Sequence, residues 1–326
     1  MSLRASLWFA AADAAEQGVV AALATVSRKR GSLPLADDAK MLVTDAGQRH
    51  GTVGGGCVEA DVTVQALATV RTGRPAVVRH TLNADLAGDV GLSCGGTVEL
   101  FVEPVVHGAE MAAIYRRVGE AIDARRDVTV RTALDWSSGH RKTLQPGAHG
   151  RTAFVDESEA VFVEPIVRDP RVIVFGAGHV GLEISRIAAG SGFHVVVVDD
   201  REEFANVTRL PWAAQVLATE FSVALDGLAL DHDDYVIAAT RGHAHDATIV
   251  ERAAPSMAGY VGMLGSKRKL AVVRKALEGQ GVPAEALDRV RCPIGEDIGA
   301  DTPAEIAVSV VAELIRLRRR SVDRAQ

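Results

Sequence analysis

Cysteine is scarce. Three cysteines in 326 residues cannot build a disulfide framework, so a reducing cytoplasm is the expected compartment. Aromatic residues make up only 4%, so alanine and valine must fill most of the core. No run of 18 apolar residues occurs, which excludes a membrane-spanning helix. The first residues lack the basic stretch and apolar core of a secretory signal. Positive charge is not in excess either. Lys+Arg number 36 against 42 Asp+Glu, a net charge of −6, whereas a protein that neutralises nucleic-acid phosphates needs the opposite balance. Charge does not segregate between the two halves, so neither a basic arm nor an acidic tail is present.

What the chain does have is length, apolar content and glycine. At 326 residues it exceeds what one hydrophobic core usually serves, which predicts two domains. An apolar content of 48% with 24% charged residues excludes disorder for most of it. The 31 glycines concentrate where backbone has to come close to something.

The second half reads as alternating strand and helix. Short apolar runs at 171–175, 194–199, 215–219, 235–240, 260–264 and 290–293 fit buried parallel strands, with helical segments between them. Thr302-Pro303-Ala304-Glu305 supplies an N-cap, a first-turn proline and a capping-box glutamate for a last helix. Ile306, Val310, Leu314 and Leu317 then form its apolar face. This predicts a Rossmann-like doubly wound parallel-sheet domain over 169–326.

The first half is mixed. Helices fit 4–17, 58–72 and 110–126. Strands fit 19–26, 75–82, 97–105, 127–134, 140–144, 151–155 and 160–166, and 41–44 with 49–53 reads as a hairpin about Asp45-Ala46-Gly47-Gln48. The expected fold class is therefore α/β, with an N-terminal mixed α+β domain over 1–168 ahead of the Rossmann-like one. Arg168-Asp169-Pro170 marks the boundary. Glu99-Leu-Phe-Val-Glu-Pro104 and Ala160-Val-Phe-Val-Glu-Pro165 echo each other, but six residues are too few to infer duplication.

Gly176-Ala-Gly178-His179-Val-Gly181 follows a strand and opens a helix. The first glycine permits the tight turn, the second lets backbone approach a pyrophosphate, and the third allows close helix–strand packing. Helix N-terminal amides add attraction for phosphate. Asp199 lies 18 residues after Gly181 at the end of the next strand, where a ribose hydroxyl would be read. A bound nucleotide and a Rossmann domain holding another phosphorylated ligand, or none, both remain open. Gly54-Gly55-Gly56-Cys57 precedes a second helix. There the helix dipole favours a thiolate, which suits Cys57 as nucleophile, sulfur carrier or soft metal ligand, or equally as a small residue packed under a turn. Cys94 repeats the pairing of cysteine with glycine, but its 37-residue spacing from Cys57 fits no zinc pattern. Cys292 ends a strand and reads as structural.

After the fourth Rossmann strand, His243, His245 and Asp246 are candidates for a metal or for proton transfer, or simply a polar helix start. No firm metal site follows from them. Gly265-Ser266-Lys267 opens another helix with groups suited to phosphate, or a solvated basic turn. Asp37, Asp38 and Lys40 read as a polar loop.

These pieces come in one order. Gly31-Ser-Leu-Pro34, Lys40-Met-Leu-Val43, Gly51-Thr-Val-Gly-Gly-Gly-Cys-Val-Glu59, Cys94-Gly-Gly96 and Phe101-Val-Glu-Pro104 precede the turn at 175–181. Val198-Asp-Asp-Arg201, Tyr260-Val-Gly-Met-Leu-Gly-Ser-Lys-Arg268, Pro293-Ile-Gly295, Ile298-Gly-Ala300 and Thr302-Pro-Ala-Glu-Ile-Ala307 follow. Across residues 25–315 the chain resembles the XdhC/CoxI family of xanthine dehydrogenase accessory factors. Glu296 departs from the apolar residue expected after Pro293-Ile-Gly295, and the segment 106–158 is longer than in compact members.

The resemblance implies a molybdenum cofactor chaperone that protects the cofactor, supports its sulfuration and delivers it to xanthine dehydrogenase or a related molybdenum hydroxylase. It implies an accessory factor rather than the dehydrogenase, a cysteine desulfurase as second partner, and a homodimer. Whether the molybdopterin is in mononucleotide or dinucleotide form stays open. Cys57, with Cys94 second, would meet the sulfur or molybdenum. Gly54, Gly55, Gly56, Gly176, Gly178, His179, Gly181, Asp199, Arg201, Gly265, Ser266 and Lys267 would hold the rest. The alternative is an NAD(P)-dependent oxidoreductase built on the Rossmann domain, with His243 or His245 as its acid.

Overall fold

The structure is a computed structural model that describes residues 3–31, 35–54, 57–82, 96–137, 139, 142–150 and 152–323. The chain divides into two units, Met1–Arg168 and Asp169–Gln326.

The first unit opens with helix α1 (Leu3–Gln17), whose Ala5, Trp8, Ala11, Ala12 and Ala15 are buried. Strand β1 (Ala21–Gly31) follows, then the hairpin strands β2 (Lys40–Thr44) and β3 (Arg49–Thr52), helix α2 (Cys57–Thr72), and strands β4 (Ala76–Leu82) and β5 (Gly96–Pro104). The strands form an antiparallel sheet in the order β3-β2-β1-β5-β4. Successive strand side chains point to opposite faces. Ala21 and Leu23 of β1 accordingly join the α1 core, while Ala22, Ala24 and Val26 join a second core with Val62 and Ala66 of α2. Seven consecutive buried residues in β1 are the signature of a strand covered on both faces.

The segment 106–158 contributes helix α3 (Ala109–Asp123) and strands β6 (Val128–Ala133), β7 (Lys142–Pro146) and β8 (Phe154–Asp156), completed by β9 (Val161–Ile166). These strands pair in the order β7-β6-β9-β8. That order reproduces β2-β1-β5-β4 of the first sheet strand for strand, and α3 stands before β6 as α1 stands before β1. The two helices share one core, with Met111, Ala112, Tyr115, Val118 and Ile122 against the alanine face of α1.

Lys40, read from sequence as part of a polar loop, is the first residue of β2 and pairs in register with Thr25 and Thr52. Its side chain is only 8% exposed. Burial overrode local polarity because the hairpin carries the residue under α1.

The second unit begins with β10 (Arg171–Phe175), helix α4 (His179–Gly190) and β11 (His194–Asp199). It continues with β12 (Gln215–Ala218), α5 (Phe221–Gly227), β13 (Asp234–Ala238), α6 (His243–Ala253), β14 (Tyr260–Met263), α7 (Lys267–Gly279), α8 (Ala284–Asp288), β15 (Val290–Arg291) and α9 (Pro303–Asp323). All strands are parallel in the order β12-β11-β10-β13-β14-β15, the doubly wound arrangement expected. Val172 and Val174 pack with α4 and α9, whereas Ile173 and Phe175 pack with α5, α6 and α7. The capping box holds: Thr302 Oγ1 accepts from Glu305 N at 3.3 Å, and Glu305 Oε2 accepts from Thr302 N at 2.9 Å. β15 stops at Arg291, short of the expected 293, because Pro293 has no N–H to extend the ladder.

Candidate functional site

The order reversal in the second sheet falls between β10 and β13, and in such sheets ligands gather beyond the strand carboxyl ends at that point. A cavity of about 230 Å³ lies there. Gly176, Gly178, His179, Asp199 and Arg201 line it, together with Asp200, Thr240 and Arg241.

Each glycine of the turn has a separate physical task. Gly176 has φ +105°, and a Cβ there would sit 2.4 Å from the carbonyl oxygen of Ala239. A Cβ on Gly181 would fall 1.8 Å from the carbonyl oxygen of Gly176, so glycine is what lets α4 close on the turn. Around Gly178, by contrast, an added Cβ meets nothing within 4 Å. Gly178 is the residue before α4. It also lines the cavity, where an anion would meet unsatisfied helix amides.

Asp199 is 1% exposed. Its Oδ2 accepts from Ala177 N at 2.7 Å and from Arg201 Nη2 at 3.0 Å, and its Oδ1 from Arg201 N at 3.1 Å and Nε at 2.8 Å. Burial pushes this carboxyl up, but the Arg201 guanidinium and the amides of Ala177 and Arg201 outweigh it and hold it below the usual range. Both oxygens therefore serve the glycine turn and Arg201. The sequence places Asp199 where a ribose hydroxyl would be read; in the structure its carboxylate clamps the glycine turn and Arg201. Its neighbour Asp200, 14% exposed, accepts from Arg241 at 2.9 Å. Asp200, Thr240 and Arg241 escaped the sequence reading, although Asp200 sits beside Asp199, because strand ends announce a position and not which carboxylate faces outward.

Among the described candidates of the second unit, His245, Asp246, Gly265, Ser266 and Lys267 do not line this cavity. Asp246 is fully buried, with Oδ1 accepting from Thr240 Oγ1 at 2.7 Å and Oδ2 paired with Lys269. It ties the loop after β13 to α7. The His245 ring packs edge-on against Phe221 at 5.2 Å. The side chain of His243 lies outside the described residues. Among the described residues no three His, Cys, Asp or Glu side chains form a group that could hold a metal. Ser266 caps α7 by accepting from Lys269 N at 3.2 Å, and Gly265 has φ +152° with the Lys269 side chain against it. Lys267 is exposed. Cys292 is half-buried, and burial pushes its thiol up, away from reactivity.

In the first unit, Gly54 has φ +119°. Thr52 Oγ1 accepts from Gly54 N at 3.2 Å and donates to Glu59 Oε1 at 2.5 Å, which anchors the turn to the first turn of α2. Arg49 reaches the same carboxylate at 3.4 Å. Cys57 is the first residue of α2, though its side chain lies outside the described residues, as do Gly55, Gly56 and Cys94.

Fold and cavity together define a Rossmann-type α/β protein carrying an N-terminal α+β unit. Two family models match it: the XdhC Rossmann domain over residues 172–314 and the XdhC and CoxI family over residues 14–81. The chain belongs to the XdhC/CoxI family. It is 29% identical over 320 residues to a Bacillus subtilis protein named as a probable xanthine dehydrogenase subunit, covering 92% of this chain and 94% of that one. It is 24% identical over 308 residues to the Escherichia coli molybdenum cofactor insertion chaperone PaoD, covering 94% and 86%. A crystal structure described as a xanthine dehydrogenase from Bacillus halodurans superimposes with a TM-score of 0.79 at 27% identity, covering 98% of this chain and 96% of that one. No helix among the described residues is long and apolar enough to cross a membrane.

Proposed function

We propose that this protein is a molybdenum cofactor insertion chaperone for xanthine dehydrogenase or a related molybdenum hydroxylase. The observation that carries the reading is the unobstructed face of Gly178 at the start of α4, inside a chain whose relatives include a named insertion chaperone. The cargo has a phosphate or dinucleotide end, and amides at a helix N-terminus suit it. Its molybdenum end is soft, and Cys57, at the start of α2 after a glycine run, is the ligand of matching softness. Asp199 and Arg201 hold the glycine turn in shape, while Asp200 and Thr240 supply hydrogen-bonding partners at the cavity wall. Protection of the cofactor and support of its sulfuration, with a cysteine desulfurase as sulfur donor, belong to the same proposal, as do a homodimer and a cytoplasmic location.

Reconstitution tests it. Cofactor-loaded protein should activate apo-hydroxylase, and Cys57→Ala should lower that activation at least about tenfold, since loss of even an outer-shell partner of a metal ligand costs roughly that much. Equal activation by both would remove Cys57 from the proposal, and no activation by the wild type would overturn the chaperone reading. Micromolar NADH binding without cofactor uptake would favour the NAD(P)-dependent oxidoreductase instead.

A further inference from the structure

The repeated halves of the first unit carry equivalent charged triads. In the first, Lys40 Nζ on β2 donates to Thr25 Oγ1 on β1 at 2.5 Å and to Glu164 Oε2 on β9 at 2.9 Å. In the second, Lys142 Nζ on β7 donates to Thr132 Oγ1 on β6 at 2.7 Å and to Glu103 Oε1 on β5 at 2.7 Å. The registers agree: Thr25 faces Lys40 and Phe101, and Thr132 faces Lys142 and Phe162. Phe101 and Phe162 stack on each other at 4.2 Å. Each lysine lies over an aromatic ring of its own leading helix, Lys40 over Trp8 at 4.5 Å and Lys142 over Tyr115 at 5.7 Å. Each half supplies the glutamate for the other half's lysine. The Phe-Val-Glu-Pro echo in the sequence is thus one piece of an internal repeat.

The two triads differ in one respect. Lys142 and Glu103 are 2% and 1% exposed, whereas Lys40 and Glu164 are 8% and 9% exposed and form part of the wall of a 530 Å³ cavity. That volume lies in the range of small-molecule sites, roughly 300–1,000 Å³. The sealed triad is a structural crosslink. The open one sets a donor, Lys40 Nζ, beside an acceptor, the Glu164 carboxylate, with the Thr25 hydroxyl adjoining and Trp8 as an apolar wall. Adjacent donor and acceptor match the C=O and N–H of a lactam edge. Arg49 and His50, also on the wall, suit an anionic substituent.

We infer that the Lys40–Glu164 cavity of the first unit is a second binding site, for a planar nitrogen heterocycle with a lactam edge and an anionic group. A pterin and a guanine nucleotide share that chemistry. The inference goes beyond the chaperone reading, because it stands on the first unit alone.

Calorimetric titration of the full chain with pterin-6-carboxylate, GMP and AMP tests it. At least one of the first two should bind at micromolar strength, and AMP, whose edge reverses donor and acceptor, at least tenfold more weakly. The tighter of pterin-6-carboxylate and GMP identifies the source. Glu164→Gln should weaken binding at least tenfold, as should Thr25→Val, which keeps the ion pair should the first variant fail to fold. Glu103→Gln in the sealed triad should leave the affinity unchanged. Absence of binding by both lactam probes at millimolar concentration would overturn the inference. So would wild-type affinity in both cavity variants, or equal binding of AMP. None of these outcomes bears on activation of apo-hydroxylase, so the two proposals fail separately.

Discussion

Gly178 and Gly181 stand three residues apart and have opposite reasons to be glycine. Gly181 is needed by the fold, since its Cβ would overlap the Gly176 carbonyl oxygen. Gly178 has open space instead, so its lack of a side chain matters only when something else arrives. Gly181→Ala should therefore destabilise the protein by about 3 kcal/mol, the upper range of overpacking costs, with lost ligand affinity only as a consequence. Gly178→Ala should cost about 1 kcal/mol, since alanine is a poorer N-cap than glycine, yet weaken binding of a phosphate-bearing ligand more than tenfold. Denaturant unfolding beside calorimetric titration separates the two. At this scale the glycine turn was legible in the sequence, because its spacing is local. Asp199 was legible as a strand-end carboxylate, but not as one whose oxygens are both taken. Lys40 was not legible at all. Its partner Glu164 lies 124 residues away, and nothing local distinguishes a buried lysine from a solvated one.

The repeat becomes visible only at the scale of elements. Two sheets that share a four-strand order, each preceded by a helix, share little sequence beyond a single strand ending. The sealed triad links them. Glu103 Oε2 is buried without a hydrogen-bond partner among the described residues, so Lys142 is what offsets that carboxylate's burial. Removing one member of a buried pair strands the other charge and costs about 3–5 kcal/mol, whereas replacing both with apolar groups is often neutral. Lys142→Met should accordingly lose about 3 kcal/mol in urea unfolding, and the double variant Lys142→Met/Glu103→Met should recover most of it. Equal loss in single and double variants would mean that packing, not stranded charge, sets the cost. Helix and strand positions were largely legible from apolar periodicity and caps, as the last helix illustrates. The equivalence of the two halves was not, because register and strand order are long-range properties.

For the molecule as a whole, each unit has cores of its own. Alanine and valine dominate them, with Trp8, Tyr115 and the Phe101–Phe162 pair as the main aromatic contributions in the first unit. The second unit is built on the two faces of its parallel sheet. Separate cores favour separate cooperative transitions. Differential scanning calorimetry of the full chain should therefore resolve two transitions, with Gly181→Ala lowering one and Lys142→Met lowering the other by several degrees. A single transition lowered by both variants would show that the units unfold as one.

The scarcity of cysteine and aromatics, the alternation of strand and helix and the ordered motifs were enough, without coordinates, to determine the fold class and the family. Each of these signals is written in neighbouring residues or in composition, which folding does not alter. Tertiary structure decided the rest. It spent Asp199 on the glycine turn, withdrew Asp246 into a buried ion pair and turned Lys40 from an apparent loop residue into a cavity wall. In each case the deciding partner is distant in sequence or is a backbone atom, and burial makes that partner's charge or hydrogen bond the dominant influence.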